Sequence, residues 1–234
     1  MLESADRADS NSAVRKDVWV QLPLAAPHLG DGDAIVCRAR PPDPSACVDD
    51  LGLGRPYAYL LGLYLGDGML TAAPRNVWRL RISLDVKYPG IVATSKVAIF
   101  DVAAHVAGQI SRTGCVEIYS NWKHWICIFP QHGAGPKHER PMRLESWQVR
   151  LVSSYPEAFI TGLIHSDGCR CLNRVKGHDY PRYFFSNSSA EIRAMFVWAC
   201  AMIGVEARPA GRRNVSVARR PSVATLDRFV GPKA

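Results

Sequence analysis

Two stretches of this 234-residue chain spell nearly the same string, 100 residues apart. From Tyr57 the sequence reads YAYLLGLYLGDG, and from Pro156 it reads PEAFITGLIHSDG. Gly62, Leu63, Gly66, Asp67 and Gly68 correspond to Gly162, Leu163, Ser166, Asp167 and Gly168. Self-similarity at this spacing marks a duplicated folding unit, so the chain must build two related halves.

The segments after the two copies also match. After Asp67 comes a short turn and then VWRLRISLD, with Trp78, Leu80, Ile82 and Leu84 alternating with Arg79, Arg81 and Ser83. That period of two predicts a half-buried strand over 77–85. After Asp167 come CRCLNR, a turn at 176–179 and YPRYFFSNSS. Helices are expected over 91–107 and 189–204, with Gly108 and Gly204 as stops and Ser189 near an N-cap. Strand pairs 114–120 with 122–129, and 205–209 with 214–218, complete each unit, and 147–155 bridges them. Residues 1–50 are expected to form a partly disordered arm with short strands at 18–24 and 34–39. The expected division is 51–150 for the first half and 151–234 for the second.

Read as helices, the repeated strings carry Gly62 and Gly66, or Gly162 and Ser166, four residues apart on one face. Small residues at that spacing let two backbones approach closely. A helical glycine costs about 1 kcal/mol against alanine, so packing of the two helices on each other is the expected compensation. Asp67 and Asp167 then fall at helix C-termini, just before the C′ glycines Gly68 and Gly168. Acids are disfavoured there by the helix dipole, and paired helices bring the two carboxylates together. A divalent cation removes that repulsion. Hard carboxylate ligands with water point to Mg²⁺, and such a pair on a basic protein fits phosphodiester hydrolysis.

The charge balance agrees. Lys and Arg number 29 against 21 Asp and Glu, a net charge of +8 and a pI near 9.3. That balance suits a polyanion such as nucleic acid. No apolar run approaches the roughly 18–20 residues of a membrane span, and MLESADRADS lacks the apolar core of a secretory signal. Seven scattered cysteines read as the reduced thiols of a cytoplasmic protein, nucleoid-associated in a prokaryote, rather than as a disulfide frame. Cys169 and Cys171 lack the second ligand pair of a structural zinc site.

LLGLYLGDG (60–68) and ITGLIHSDG (160–168) resemble the two signature helices of a LAGLIDADG homing endonuclease of the single-chain, two-motif type. The resemblance spans about residues 57–234. It implies an α+β fold of tandem pseudo-twofold αββαββα repeats, with two saddle-shaped antiparallel sheets and the signature helices paired at the interface through Gly62, Gly66, Gly162 and Ser166. It further implies a monomer with an internal pseudo-dimer that binds a long, asymmetric double-stranded DNA site. Both strands would be cut across the minor groove, with Mg²⁺, or Mn²⁺ as a substitute, held by Asp67 and Asp167 and by the carbonyls of Gly66 and Ser166. A basic residue near each metal is implied: Lys137, with Arg140 behind it, in the first half, and Arg219 or Arg220 in the second. His132 and His138 are further candidates in the same loop as Lys137. Leu65 and His165 stand where the name motif has Asp, a variable position, and His165 is expected to face a pocket or solvent.

Sheets that read DNA place polar side chains on one face and core residues on the other. The candidates are Arg79, Arg81, Ser83 and Arg182 on the strands, and Arg75, Asn76, Arg170, Asn173, Arg174 and Lys176 in the hairpins. Lys123, Arg212, Arg213 and Asn214 extend the set on the outer strands. The alternative is a LAGLIDADG-derived DNA-binding regulator or RNA maturase that no longer cuts. Retention of both Asp67 and Asp167 favours the enzyme. The chain starts with Met1 and ends in Pro232-Lys233-Ala234 rather than His-Asn, which argues against a self-splicing unit.

Overall fold

A computed structural model describes Val48, residues 51–231 and Lys233. The expected N-terminal arm lies outside the described residues, apart from Val48. The first repeat runs α1 (Arg55–Asp67), β1 (Gly68–Ala73), β2 (Val77–Asp85), α2 (Pro89–Ala103), β3 (Gly108–Arg112), β4 (Cys115–Trp122) and a single turn, α3 (Trp125–Ile128). A 3₁₀ turn at Lys137–Glu139 and α4 (Ser146–Ser154) lead into the second repeat. That repeat runs α5 (Pro156–Asp167), β5 (Gly168–Val175), β6 (His178–Ser186), α6 (Ala190–Met202), β7 (Arg208–Pro209), β8 (Asn214–Val217) and α7 (Arg220–Asp227). Each repeat builds one four-stranded antiparallel sheet, ordered β1-β2-β4-β3 and β5-β6-β8-β7.

α1 is apolar all round, and residues 57–65 are buried without a break. Such a helix has no solvent side and must lie between other elements. It packs most extensively against α5 and then against α2. Pro56 and Pro156 stand in the first turns, where a missing N–H costs nothing. α4 is fixed rather than slack: Glu145 and Gln148 form a capping box, and the buried Gln148 amide reaches Tyr57 Oη at 2.7 Å. Tyr57 itself donates to the Ile128 carbonyl at 2.5 Å.

Four expectations need correction. Gly68 and Gly168 are not left-handed caps: both are extended, at φ −87° and −109°. Glycine is needed there because the chain doubles back tightly from helix to strand. A Cβ would stand 2.5 Å from Tyr64 Cα in one copy and 2.8 Å from Ile164 Cα in the other. α2 stops at Ala104, in the left-handed region at φ 53°, and Gly108 instead opens β3, where the Tyr119 ring occupies the space of a Cβ. The outer strands of the first sheet are 108–112 and 115–122, turning at Gly114 with φ 75°. Residues 125–128 are a helical turn, not a strand. Trp125, Cys127 and Ile128 are all buried, Trp125 Nε1 donates to the Ser120 carbonyl at 3.1 Å, and Phe129 stacks on Tyr64 at 4.2 Å. One compact turn sends these side chains into the core, which an alternating strand cannot do.

Candidate active site and nucleic-acid interface

The signature helices meet backbone to backbone. A Cβ on Gly62 would lie 2.5 Å from the Phe159 carbonyl oxygen. A Cβ on Gly162 would overlap the Tyr59 carbonyl and stand 3.0 Å from Gly62 Cα. One turn on, the Ser166 side chain covers Gly66 and donates to the Leu163 carbonyl at 2.9 Å. Asp167 Oδ2 lies 2.9 Å from where a Gly66 Cβ would be. The four expected interface residues therefore do form the seam, and the seam brings Asp67 and Asp167 to its end together.

Their surroundings make these carboxylates reluctant anions. Burial, with the neighbouring Asp167 charge adding to it, pushes Asp67 up to about 6. Burial also raises Asp167, against the pull of an Asn187 hydrogen bond; the Asn187 amide donates to Asp167 Oδ2 at 2.6 Å. Sequence reading missed Asn187. The ladder registers explain the asymmetry: Gly68 pairs with Ile82 and Gly168 with Phe185. Two residues past each partner stand Leu84 and Asn187. Asp167 thus has an amide donor at a position where the other repeat offers Asp67 only a leucine.

Lys137 lies where expected. Its Nζ donates to the Gly66 carbonyl at 2.8 Å and to the Tyr64 carbonyl, and sits 5.0 Å from the Tyr64 ring centre. Burial lowers its pKa to about 8, although Asp167 and Asp67 pull the other way. Arg219 does not take the equivalent place: it is exposed and ion-paired with Glu206 at 2.8 Å. The equivalent is Lys233, whose Nζ donates to the His165 carbonyl at 2.9 Å and the Ser166 carbonyl at 3.3 Å. Each signature helix therefore ends in carbonyls held by a lysine. Burial lowers Lys233 as well, opposed first by Asp67. Arg220, the other second-half candidate, opens α7. Arg140 bonds the Gly133 carbonyl, His132 stands edge-on to Trp78, and His138 faces Glu139 at 3.6 Å.

Two crevices flank the acids. One, of about 490 Å³, is lined by Gly66, Asp67, Lys137, Asp167, Asn187 and Arg213, among others. The other, of about 280 Å³, is lined by Asp67, Asp85, Tyr88, His165, Ser166 and Lys233, among others. His165 faces this second crevice, as expected, and shares a 2.9 Å hydrogen bond between its Nδ1 and Tyr59 Oη. Burial lowers its pKa to about 4, so it is neutral near pH 7. Among the described residues no group of three or more His, Cys, Asp or Glu side chains converges on one point. The available donors are two carboxylates and helix-end carbonyls, all oxygen. Two neighbouring acids that repel each other beside carbonyl oxygens make a hard donor set that suits a divalent cation keeping part of its water; since Lys137 and Lys233 already bond the Gly66 and Ser166 carbonyls, such an ion would rest chiefly on the carboxylates.

The sheet faces sort the basic residues. Leu80, Ile82 and Leu84 are buried, so Arg79, Arg81 and Ser83 project from the other face of β2, as expected. Arg79 Nε donates to Asn121 at 2.9 Å, and its guanidinium lies over the Tyr119 ring at 5.1 Å. Arg75 and Asn76 make the β1–β2 turn with φ 64° and 56°. On the second sheet Tyr183 and Phe185 are buried, so Arg182 and Phe184 face outward. Asn173, paired with Tyr180, shares that face. Lys176 and Gly177 make the tight turn at φ 49° and 82°. Lys123, Arg212 and Arg213 are exposed, and Asn214 pairs with Ser186.

Arg170 is a correction. Arg170 pairs with Tyr183, which puts it on the helix side of the sheet. There it forms a two-pronged bond with Asp227 on α7, at 2.7 and 3.0 Å, and Tyr183 Oη donates to the same carboxylate at 2.6 Å. Arg174 shares that side and lies 4.0 Å from Asp179.

One signature helix and one four-stranded antiparallel sheet, repeated in one chain with the two helices paired, make the fold this chain shares with LAGLIDADG homing endonucleases of known structure. Among solved structures, the chain is similar to mesophilic variants of the homing endonuclease I-DmoI, with a TM-score of 0.51 and 15% identity over 75% of this chain and 95% of that one. It is also similar to an alanine variant of I-DmoI in complex with its target DNA in the presence of manganese, with a TM-score of 0.50 and 17% identity over 75% and 93%. The N-terminal LAGLIDADG domain of DUF199/WhiA aligns with a TM-score of 0.45 and 12% identity over 77% and 82%. No protein-family profile matches the sequence, and no curated protein matches it.

Proposed function

We propose that this chain is a site-specific endonuclease that hydrolyses both strands of double-stranded DNA with a divalent cation, Mg²⁺ or Mn²⁺. The observation that carries the reading is the pair of acids that meet at the end of the helix seam, each helix end held by a half-buried lysine, between sheets whose outward faces carry arginine. Asp67 and Asp167, with the Gly66 and Ser166 carbonyls, would hold the metal. When bound, it supplies positive charge at the scissile phosphate and a more acidic water.

The chain's own groups do the rest. Lys137 and Lys233 keep positive charge beside the acids in a partly dry crevice, where charge acts more strongly than in water. The pKa of Lys137, lowered to about 8, also suits it to order a water molecule or to move a proton near neutral pH. Asn187 fixes the orientation of the Asp167 carboxylate. Arg79, Arg81 and Arg182 read bases, and the exposed hairpin and outer-strand residues hold phosphates. The unlike sheet faces fit an asymmetric target, and one chain supplies both halves, so the monomer suffices inside the cell.

The test starts with cleavage selection from a randomised duplex library with the full chain and Mg²⁺, which yields a target. Asp67→Asn and Asp167→Asn should each abolish double-strand cutting and leave affinity for that target within severalfold. Double-strand cutting that survives in both variants rejects the site. Tight binding without cutting by the parent protein, in Mg²⁺ or Mn²⁺, would favour a DNA-binding regulator.

A further inference from the structure

Arg81 and Phe184 occupy one and the same place in the two repeats. Arg81 pairs with Met69 and Phe184 with Cys169, and Met69 and Cys169 each stand two residues past the motif acid. Both side chains project from the outward face of the central strand, one step outside Ser83 and Ser186. The next step along is the same in both repeats: Arg79 and Arg182, each with its guanidinium 5.1 Å from an aromatic ring centre. The sheets thus agree at one level and differ at the level nearer the acids.

The difference is chemical in kind. Arg81 lies beside Glu117 of β4, Nε to Oε1 3.8 Å, and Glu117 is only 9% exposed. Arg81 Nε is itself buried without a hydrogen-bond partner, and the side chain is 31% exposed, so part of the guanidinium stays open to a ligand. A donor fork next to an acceptor matches one base pair in the major groove. Guanine O6 and N7 accept from Arg, while cytosine N4 donates to Glu. At the matched place Phe184 offers an apolar ring, with the Arg182 guanidinium over it at 5.1 Å and Cys169 across the ladder. An apolar ring in that position contacts the thymine methyl group and satisfies no guanine acceptor.

We propose that Arg81 with Glu117, and Phe184, are specificity determinants that give the two half-sites unlike preferences at matched positions: a G·C pair under Arg81, and a T·A pair with its methyl toward Phe184. The proposal rests on the reading of the protein as a binder of double-stranded DNA. It assigns that target an asymmetry at a definite level, next to the cut.

The experiment is a binding selection, which needs no catalysis. The full chain is incubated with duplexes randomised across both half-sites in calcium buffer, and retained DNA is sequenced. The expected profile enriches G·C at one position and T·A at its pseudo-symmetric partner. Arg81→Ala should lower the guanine preference by roughly ten- to a hundredfold, the scale of one good bidentate contact, and leave the other arm unchanged. Phe184→Arg should convert the thymine position to guanine. Selective binding with the same base at both positions, or a Phe184→Arg profile identical to the parent's, overturns the assignment while leaving DNA binding intact. Absence of any duplex binding overturns the proposed function and this assignment with it.

Discussion

Gly162→Ala is a sharp test of the helix seam. On an exposed helix this change stabilises by about 1 kcal/mol, because alanine loses less backbone entropy. Here the added carbon overlaps the Tyr59 carbonyl and stands 3.0 Å from both Gly62 Cα and Leu63 N. Comfortable carbon contacts begin at about 3.5 Å. The obstacles are backbone atoms of a buried helix, which no side-chain rotation can clear, so the helices must part by roughly half an ångström to one ångström. A gap of that size forfeits about a quarter to a half of the dispersion energy of the contacts it opens. Overpacking of this kind costs about 1–3 kcal/mol, occasionally more. Because the obstacle is backbone, the cost lies near the upper end, about 3 kcal/mol; less the propensity gain of about 1 kcal/mol, the expected net loss is about 2 kcal/mol, or a Tm lowered by about 4–8 °C for a chain of this size. Thermal and urea unfolding at fixed pH measure it. Because the same displacement moves Asp167 away from Asp67, cleavage should fall more steeply than stability does. A variant with an unchanged or raised Tm would mean that the helices do not touch at Gly162, and the convergence of the two acids would lose its support.

Asn187→Ala should weaken cleavage in the centre that uses Asp167 more than in the other, seen as nicked product accumulating on supercoiled DNA; equal loss on both strands would count against the asymmetry. Lys233→Met should slow cleavage by about 10²-fold or more, the usual scale for an acid–base or charge-stabilising group, whereas Arg219→Met should leave it near the parental rate. Asp227 is held below its ordinary pKa first by Arg170 and further by Tyr183. The stability it adds is therefore present above the unfolded value of about 3.9 and is lost as pH falls through the lower, folded value. Urea titrations should show a gap between the parent and Asp227→Asn that is full near pH 7 and closes below pH 4; a gap constant down to pH 3 would refute the linkage. Duplex affinity should fall linearly on a log–log plot against salt, since bound phosphates release counterions, and a flat plot would speak against phosphate contacts by these arginines.

Much of the architecture was legible because duplication let each half check the other. The string at 57–68 alone is ambiguous, but its echo at 156–168 fixed two helices, their small-residue seam and their terminal acids. The strand at 77–85 has the bounds its alternation predicts, since one of its faces is core and the other is solvent. Alternation failed at 122–129, where the apolar residues serve a compact turn and burial overrides strand propensity. Arg170 was misassigned because facing depends on register: counting from the Gly168–Phe185 pair places it opposite Tyr183 and hence on the helix side. Lys233 was invisible to spacing arguments. Lys137 reaches its carbonyls from a 3₁₀ turn and Lys233 from beyond α7, so no shared local pattern marks them; only the fold shows that both cap a signature helix.

The Leu84–Asn187 mismatch has an evolutionary corollary. In an assembly of two identical subunits every substitution arrives twice, so no change can suit one cutting centre and spare the other. Joining the repeats in one polypeptide lifts that restriction. Each centre can then drift by itself, and if the proposed function holds, an engineer could silence one and keep the other, turning a cutter of two strands into a cutter of one without touching the groove that chooses the address.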